Sequence, residues 1–363
     1  MILITGGAGF IGTAVANELI RRGQRVRILD SLIEQVHGER GRFGGPADAE
    51  LIVGDVRNGD VVARALQGVD CVVHLAAEVG VGQSMYAVER YTSVNEVGTA
   101  VLFEKLIERP VRRVVTASSM SIYGEGLYED QDGRPVEDAA RGPGSSGWDP
   151  VDSAGRPLRP LPTPEWKRPS LSSIYALGKY VQERQTLIMT GAYGMEGVCL
   201  RLFNVYGPGQ ALSNPYTGVL AIFAARLLNG QPPLVFEDGE QRRDFVHVSD
   251  VARAFADALT LPQAAGGVFN IGSGRERSVN EVARALAAAM GVDIEPRIAG
   301  KSRAGDIRHC FCDTALAAQR LGFRAAKDFG EGLAELAEWL AGQEAEDRVE
   351  QARGELEMRG LVA

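Results

Sequence analysis

Short apolar runs alternate with segments of helical spacing along the N-terminal half of the chain. Runs rich in β-branched residues lie at 2–5, 26–29, 51–53, 71–75, 114–117 and 198–203. Apolar residues with helical spacing lie between most of them, at about 10–22, 60–67, 94–107 and 173–189. Strands that are apolar throughout are typical of a parallel sheet covered on both faces. The pattern therefore predicts an α/β fold with a doubly wound parallel sheet.

The pattern changes after residue 203, where loops separate helical segments at about 218–228, 249–261 and 278–290. We expect a first domain over 1–203 and a smaller C-terminal substrate domain over 204–341, some of which returns to the first domain. Residues 126–169 hold half of the 16 prolines and predict a surface excursion, with a lid as the sharper alternative. Residues 342–363 are dense in Glu and Arg and predict a charged helical tail, either solvated or partner-binding.

Composition narrows the class of protein. The 39 Lys and Arg against 47 Asp and Glu give a net charge of −8, which argues against a nucleic-acid surface. No apolar run reaches the length of a membrane span, and the strand pattern begins at Met1 without a basic leader. These features predict a cytoplasmic protein. Cys71 and Cys199 lie in apolar runs and no C-x-x-C pair occurs, which predicts buried, reduced thiols.

A glycine motif follows the first apolar run and opens the first helical segment. Gly6, Gly9 and Gly12 recur at intervals of three, with Phe10 and Ile11 inside the motif. Between a strand and a helix, such glycines let the backbone approach a pyrophosphate at the helix N-terminus. The fold is therefore predicted to be Rossmann-like.

Further candidate cofactor contacts follow the next strands. Asp30, 18 residues after Gly12, can accept hydrogen bonds from ribose hydroxyls and would repel a 2′-phosphate, which favours NAD over NADP; the alternative is a turn-forming aspartate. Asp55 and Val56 follow the third strand and could meet the adenine, Asp55 again being open to the turn alternative. Leu75, Ala76 and Ala77 end the fourth strand with small side chains, which would form a wall against the dinucleotide.

Three side chains are candidates for proton transfer. Tyr175 and Lys179 are spaced i, i+4 in a helical segment and project from one face. A phenol has a pKa of about 10, so a nearby ammonium and a positive nicotinamide ring would be needed to lower it. Ser119 follows the strand at 114–117, at the edge where such sheets bind ligands, although a turn-capping serine is the alternative.

Several motifs, in this order, carry a resemblance to a known family. They are 5–12, 118–124, Tyr175 with Lys179, 201–208, 243–250 and 303–306. Together they resemble the extended short-chain dehydrogenase/reductase family, in its nucleotide-sugar epimerase/dehydratase branch, from residue 1 to about 340. The stretch 208–218 also resembles bacterial enzymes described as dTDP-L-rhamnose 4-epimerases.

The resemblance implies roles for individual residues. Tyr175 would be the general base and acid, Lys179 its electrostatic partner and ribose contact, and Ser119 the hydroxyl relay. Asn204 would touch the sugar nucleotide near its phosphates, Arg243 and Arg303 would clamp the diphosphate, and Phe236 lies where relatives cover the base. The implied partners are NAD and a nucleoside-diphosphate sugar (dTDP or UDP). A homodimer through the helices at 94–107 and 173–189 is also implied.

The reaction type is predicted from two positions. Dehydratases resembling this chain carry an Asp-Glu pair directly after the position of Ser119, whereas this chain has Met120 and Ser121. A 4-epimerase needs no such pair, so a 4-epimerase is the leading hypothesis. The alternatives are a nucleotide-sugar 4-ketoreductase and a non-catalytic dinucleotide-sensing protein. Val79 stands where UDP-galactose epimerases usually have Lys, which leaves the hexose open, and the missing cysteine pairs of some relatives predict no metal.

Overall fold

The computed structural model describes residues 1–38, 43–140, 147–212, 214, 216, 218–303 and 305–362. Four residues of the quoted motifs, Ser213, Pro215, Thr217 and Ala304, lie outside these ranges, as do residues 141–146 of the proline-rich segment.

Sixteen strands are present in the described residues. They are β1 Ile2–Thr5, β2 Val26–Asp30, β3 Glu50–Val53, β4 Cys71–His74, β5 Arg113–Ser119, β6 Leu127–Glu129, β7 Pro135–Val136, β8 Arg159–Leu161, β9 Glu196–Leu202, β10 Asn204–Tyr206, β11 Leu234–Val235, β12 Arg242–His247, β13 Val268–Ile271, β14 Glu276–Ser278, β15 Arg297–Ile298 and β16 His309–Cys310.

The same part of the chain contains thirteen α-helices. They are α1 Phe10–Arg21, α2 Glu34–His37, α3 Gly59–Ala65, α4 Val81–Ser84, α5 Val88–Thr92, α6 Gly98–Glu108, α7 Ile174–Ala192, α8 Val219–Leu228, α9 Val248–Thr260, α10 Val279–Ala289, α11 Ala315–Leu321, α12 Phe329–Leu340 and α13 Val349–Met358. A π-helical turn at Ser93–Val97 joins α5 to α6, and 3₁₀ turns lie at Met120–Tyr123 and Pro262–Ala264.

A seven-stranded sheet confirms the predicted doubly wound fold. Its strand order is β13-β9-β5-β4-β1-β2-β3, and every neighbouring pair is parallel. The chain winds outwards in both directions from β1 and β4, so the crevice for a ligand lies at their carboxyl ends. Apolar residues fill both faces of this sheet because helices cover both.

The strand β13 was not predicted. It is only four residues long, and the buried Asn270 interrupts its apolar pattern. Tertiary contacts compensate: the Asn270 side chain donates to the Thr163 backbone oxygen (2.8 Å) and accepts from the Tyr123 hydroxyl (2.7 Å). Helix α9 packs with α1 in the same core cluster. Segments beyond residue 203 therefore contribute to the large sheet layer, while the boundary at 203/204 stays a prediction.

The remaining C-terminal helices form a second core. Helices α8, α10 and α12 bury their apolar faces against one another. Small sheets flank them: β12 pairs with β10, β14 and β16, and β11 pairs with β15. Two predicted substrate-binding residues, Asn204 and Arg243, lie on β10 and β12 of these small sheets.

The proline-rich segment was predicted to be a surface excursion, but parts of it pack into the body of the protein. Strands β7, β6 and β8 form a three-stranded antiparallel sheet. Thr163 and Lys167 are fully buried, and Lys167 Nζ donates to the Tyr123 backbone oxygen (2.7 Å). The described part of this segment is therefore anchored in the body of the protein.

The charged tail does form a helix, α13, and it is not simply solvated. Leu356 and Ala352 are buried, and the Leu356 side chain lies beside Gly82. The Glu355 carboxylate accepts from the hydroxyls of Tyr86 (2.8 Å) and Tyr216 (3.1 Å). All four cysteines are free and buried, as predicted for Cys71 and Cys199. Within the described ranges, no helix is both long and apolar enough to cross a bilayer.

Candidate active site

The glycine motif forms a tight turn between β1 and α1. Gly6 has φ +69°, and a Cβ there would lie 2.7 Å from the Ala76 backbone nitrogen. A Cβ on Gly12 would lie 2.5 Å from both the Gly6 oxygen and the Gly7 Cα. Gly9, at the N-terminus of α1, has only the Gly6 oxygen nearby, at 3.5 Å. Gly6 and Gly12 are thus required for backbone packing, whereas Gly9 leaves room beside the helix N-terminus.

Asp30 ends β2 and closes this turn from the other side. Its carboxylate accepts from the backbone nitrogens of Ala8 (3.0 Å) and Leu32 (2.9 Å). An ionised carboxylate has about four acceptor positions, so each oxygen keeps one for a further donor. His37 Nε2 lies 3.7 Å from Asp30 Oδ1, a neighbour that sequence reasoning missed.

The other predicted cofactor residues lie along the same edge with different environments. Leu75 and Ala76 present their main chain to Gly6, as a wall would, and Ala77 follows. Asp55 instead pairs with the Arg57 guanidinium (2.6 Å), whose hydrogen bonds lower the Asp55 pKa. Val56 is buried beneath Gly98, so its side chain belongs to the core and only its main chain is available to a ligand.

Ser119 and Tyr175 meet at the carboxyl end of β5. Ser119 is the last residue of that strand, and its hydroxyl lies beside the Tyr175 phenol, whose pKa it lowers. The Ser121 hydroxyl donates to Ser119 Oγ (2.9 Å), which leaves the Ser119 proton free for the phenol. Tyr175 sits in the first turn of α7, which is capped by the Ser173 side chain. The structure therefore brings together the two residues that sequence reasoning paired.

In the protein chain alone the pKa of Tyr175 is raised, and its predicted depression, which also requires the positive nicotinamide ring, stays a prediction. Burial raises the pKa of the phenol, and the hydrogen bond from Ser119 lowers it by less. Burial also lowers the pKa of Lys179 to about 8. The Lys179 ammonium donates to the Gln182 side-chain oxygen (2.6 Å), a partner that the sequence analysis did not identify. The physical reason is that desolvation of both groups outweighs the charges that the protein itself places beside the phenol.

A buried ion pair joins α7 to β9 close to Lys179, and sequence reasoning did not identify it. Arg201 on β9 binds Glu183 on α7 through Nε (3.0 Å) and Nη2 (2.7 Å). The Ser118 hydroxyl donates to the same carboxylate (2.7 Å). Because Ser118 precedes Ser119 and Glu183 follows Lys179 on α7, this pair fixes the helix against the strand that carries Ser119.

A buried asparagine joins the π-helical turn to the segment after β4 and packs beside α7. Asn95 is buried in the π-helical turn, where its side chain accepts from the Glu78 backbone nitrogen (2.7 Å) and donates to the Glu78 oxygen (3.1 Å). A Cβ on Gly178 would lie 3.3 Å from the Asn95 Cβ. The π-turn therefore supports α7 at the residue before Lys179.

The two arginines that the resemblance assigns to the diphosphate, Arg243 and Arg303, both bind one segment, 306–308. Arg243 donates to the backbone oxygens of Arg242 (2.9 Å), Arg308 (2.9 Å) and Ile307. Arg303 binds the Asp306 carboxylate (3.0 and 3.1 Å). Since a guanidinium has five N–H donors, two remain on Arg243 and three on Arg303 beyond these bonds.

Phe236 and Asn204 complete this side. The Arg303 guanidinium lies over the Phe236 ring, 4.4 Å from its centroid, so one face of the ring is already covered. Asn204 Oδ1 is buried and has no hydrogen-bond partner among the described residues. A buried amide oxygen without a partner is costly in a folded chain, which points to a ligand or water contact there.

No acid–base pair lies next to Ser119. Met120 is buried with Ile122 and Tyr123 in an apolar cluster, and Ser121 directs its hydroxyl at Ser119. Within the described residues, no group of three His, Cys, Asp or Glu side chains is arranged to hold a metal ion.

Comparison with known proteins identifies related sequences. The profile of the NAD dependent epimerase/dehydratase family matches residues 2–145 and 155–272. A dTDP-L-rhamnose 4-epimerase of Burkholderia thailandensis is 36% identical over 349 residues, with 94% of each chain covered.

Two solved structures of UDP-glucose 4-epimerases are also similar to this chain. The UDP-glucose 4-epimerase of Thermotoga maritima with UDP-glucose is 30% identical, has a TM-score of 0.77, and matches over 94% of this chain and 98% of its own. The UDP-glucose 4-epimerase of Thermus thermophilus in complex with NAD is also 30% identical, with a TM-score of 0.76 and coverages of 94% and 99%.

Proposed function

The chain belongs to the NAD dependent epimerase/dehydratase family, and from this premise we propose that it is an NAD-dependent nucleoside-diphosphate-sugar 4-epimerase. The single observation that carries the reaction type is the composition of the site around Ser119. A hydroxyl–phenol pair is present, and a buried methionine and a serine follow it where a dehydratase would carry an acid and a base.

The residues of the crevice fit NAD. The cradle at Gly9 is open beside the N-terminus of α1, where a Cβ and a pyrophosphate would compete for space. The Asp30 carboxylate has acceptor positions left for ribose hydroxyls, and its negative charge would repel a 2′-phosphate. Bound NAD supplies the acceptor and then the donor of the hydride exchanged with the sugar C4.

The protein side chains handle the proton and the diphosphate. Tyr175 takes the proton of the sugar O4 hydroxyl and later returns it, while Ser119 hydrogen-bonds the same oxygen. Lys179, when protonated, supplies the positive charge on the helix face below the phenol. The free N–H groups of Arg243 and Arg303 hold the diphosphate, while the buried Asn204 Oδ1 accepts from a hydroxyl or N–H group of the sugar nucleotide. With the diphosphate fixed, the 4-keto sugar can turn about this tether and present its other face.

The substrate is a dTDP- or UDP-linked hexose, and dTDP-L-rhamnose is the first sugar to test. This rests on the similarity to the Burkholderia enzyme over nearly the whole chain. The half-covered Phe236 ring leaves one face for a pyrimidine base, which both nucleotides provide.

The test is a panel of dTDP- and UDP-hexoses incubated with the purified protein and NAD, without added reductant. We expect one C4 epimer pair to interconvert to equilibrium from both directions, with no net change in the absorbance of reduced cofactor. Stoichiometric consumption of NADH or NADPH with a 4-keto sugar would identify a ketoreductase instead. Tight NAD binding without conversion of any sugar would favour a dinucleotide-sensing protein.

We further propose a homodimer through α6, α7 and the π-turn between α5 and α6. Four large apolar side chains on these elements are exposed: Val97 (50%), Ile107 (37%), Leu177 (39%) and Ile188 (57%). Leu177 and Ile188 are eleven residues apart on α7, about three helical turns, so they share one face. Light scattering should give twice the chain mass, and Ile188→Glu should give a folded monomer. A wild-type monomer at working concentrations would contradict the dimer.

A further inference from the structure

Gln182 is fully buried one turn after Lys179 on α7, and its amide bonds in two directions. Its Oε1 accepts from the Lys179 ammonium (2.6 Å). Its Nε2 donates to Thr99 Oγ1 (2.9 Å) and to the Ala76 backbone oxygen (3.3 Å). An ammonium can only donate and a backbone carbonyl can only accept, so the amide cannot be reversed.

The hydrogen bonds behind Gln182 fix the network further. Thr99 Oγ1 donates its only proton to the Asn95 backbone oxygen (2.6 Å), so it accepts from every other partner. His74 Nε2 lies 2.9 Å from Thr99 Oγ1 and 3.2 Å from Gln182 Nε2. His74 Nδ1 lies 2.7 Å from the Thr5 hydroxyl. This buried chain of polar contacts therefore runs from Thr5 to the Gln182 side chain, whose oxygen faces Lys179.

This network connects Lys179 to the cofactor turn. The Ala76 oxygen that accepts from Gln182 belongs to the same backbone against which Gly6 packs. Thr5, at the far end of the chain, is the last residue of β1, directly before Gly6. The ammonium is therefore held relative to the backbone that shapes the dinucleotide crevice.

The charge of the network matters as much as its geometry. Burial lowers the pKa of His74 to about 3, so His74 is neutral at working pH and adds no second cation. Gln182 is itself neutral, so it holds the ammonium without cancelling its field. A carboxylate at this distance would also hold the ammonium, but its negative charge would cancel the field of the ammonium.

Other titratable groups also act on Lys179 and Tyr175 and are part of the pH behaviour. They are His74 on β4, Glu183 on α7, Cys199 on β9 and, beside the phenol, Tyr91 on α5. Glu183 is already neutralised by the bidentate Arg201. Burial raises the pKa of Cys199, so this thiol is uncharged at neutral pH.

From this geometry we propose that Gln182 is a positioning residue for Lys179, which it holds beside the cofactor crevice with a neutral acceptor so that the full positive charge reaches the Tyr175 phenol. The inference rests on the proposed function, because it concerns the same Tyr175 and Lys179. Gln182 does not touch the substrate and takes no part in proton transfer itself.

The test uses Gln182→Glu and Gln182→Met, with Gln67→Glu as the control for a change of charge at an exposed site. The first readout is NADH affinity against pH, measured by fluorescence titration, which needs no turnover. In wild type the affinity should fall as Lys179 loses its proton. In Gln182→Glu the new carboxylate keeps the ammonium protonated. The alkaline limb of the profile, where NADH affinity falls with rising pH, should therefore move up by about one pH unit or more. In Gln182→Met the ammonium loses its acceptor and the limb should move down.

The second readout is kcat and KM for the sugar nucleotide against pH. In Gln182→Glu the acid limb of kcat should move upwards, because the carboxylate cancels the field that favours the phenolate. At neutral pH, kcat should fall about tenfold for a shift of one unit, while KM changes less than about twofold. Gln67→Glu should move neither limb.

Limbs that stay in place in both Gln182 variants, with only a loss of thermal stability, would mean a merely structural role and would overturn the inference. If Gln182→Glu does not fold, the nearly isosteric Gln182→Met decides alone through its downward shift. Absence of epimerisation by wild type would refute the proposed function, while the NADH limb would still report on Gln182. Epimerisation with unmoved limbs would refute this inference and leave the function standing.

Discussion

The two ends of the crevice are assembled differently. At the cofactor end, Gly6, Gly12 and Asp30 are held by close main-chain contacts with the β1–α1 turn and the segment after β4, and Gly9 leaves open space. At the other end, some N–H groups of Arg243 and Arg303 donate to oxygens of the protein itself. The cofactor end is a rigid cradle that tolerates no added atom at Gly6 or Gly12. The substrate end is a set of guanidinium groups that keep donors in reserve for a diphosphate.

This difference matches the task of each end in an epimerase. A tightly held cofactor can stay in place through the whole cycle, whereas the sugar must be released from one pose and accepted in another. Interactions shared with protein oxygens are easier to adjust than backbone packing, because only side-chain hydrogen bonds change. Substitutions should therefore act on cofactor affinity at one end and on the KM of the sugar nucleotide at the other.

The largest effect is expected between the two ends, at Tyr175. Tyr175→Phe removes the group that exchanges the O4 proton, and general acid–base catalysis of this kind contributes about 10²- to 10⁴-fold. We expect kcat to fall by that factor with NAD affinity within about twofold of wild type. Turnover at the wild-type rate would remove the proposed mechanism, and a parallel loss of NAD binding would show that the phenol supports the cofactor end instead.

At the cofactor end, Gly12→Ala should lower NAD affinity by about 10- to 100-fold, because the new Cβ would lie 2.5 Å from backbone atoms that must shift. Titration with NADH measures this. The control is Gly191→Ala, near the end of α7, where a Cβ meets nothing within 4 Å and the backbone is helical. The control should bind NADH normally and gain up to about 1 kcal/mol of stability. Equal affinities for both variants would contradict the rigid cradle.

The pH dependence should come from Lys179. Its pKa of about 8 lies below the ordinary value of about 10.4, so the protonated form prevails at neutral pH and is lost as the pH rises through 8. Between about pH 7 and 9 the protonated fraction falls roughly tenfold, and kcat/KM should fall with it. A rate profile that stays level to high pH would show that the lysine charge is not required.

The smallest effects are expected at the substrate end. Arg243→Lys loses the fork that spans three backbone oxygens and should raise KM for the sugar nucleotide about tenfold with little change in kcat. Arg303→Lys affects a residue whose guanidinium already pairs with the Asp306 carboxylate and should raise KM about threefold. Steady-state kinetics at fixed NAD measures both. A fall in kcat with constant KM in either variant would place that arginine at the reacting atoms rather than at the diphosphate.

Sequence reasoning reached further at the cofactor end than elsewhere. The glycine motif, Asp30 and the wall at Leu75–Ala77 follow directly after strands, and the carboxyl ends of parallel strands necessarily meet at one edge. The pairing of Ser119 with Tyr175 could be predicted for the same reason. Gln182 was missed although it lies one helical turn from Lys179, because a buried glutamine in a helix has no distinctive sequence pattern. The partners of Arg243 were missed because segment 306–308 reaches it through a parallel pairing of β12 with β16.

The sequence by itself determined the winding of the sheet, the cofactor turn and the identity of the groups that can exchange a proton, because these depend on local periodicity and on residue chemistry. Only the tertiary structure decided the protonation tendencies of those groups, the addition of β13 to the sheet and the contacts of the C-terminal helix with Tyr86 and Tyr216. Burial and long-range hydrogen bonds set these properties, and both depend on which distant segments fill the space around a side chain, which no local pattern specifies.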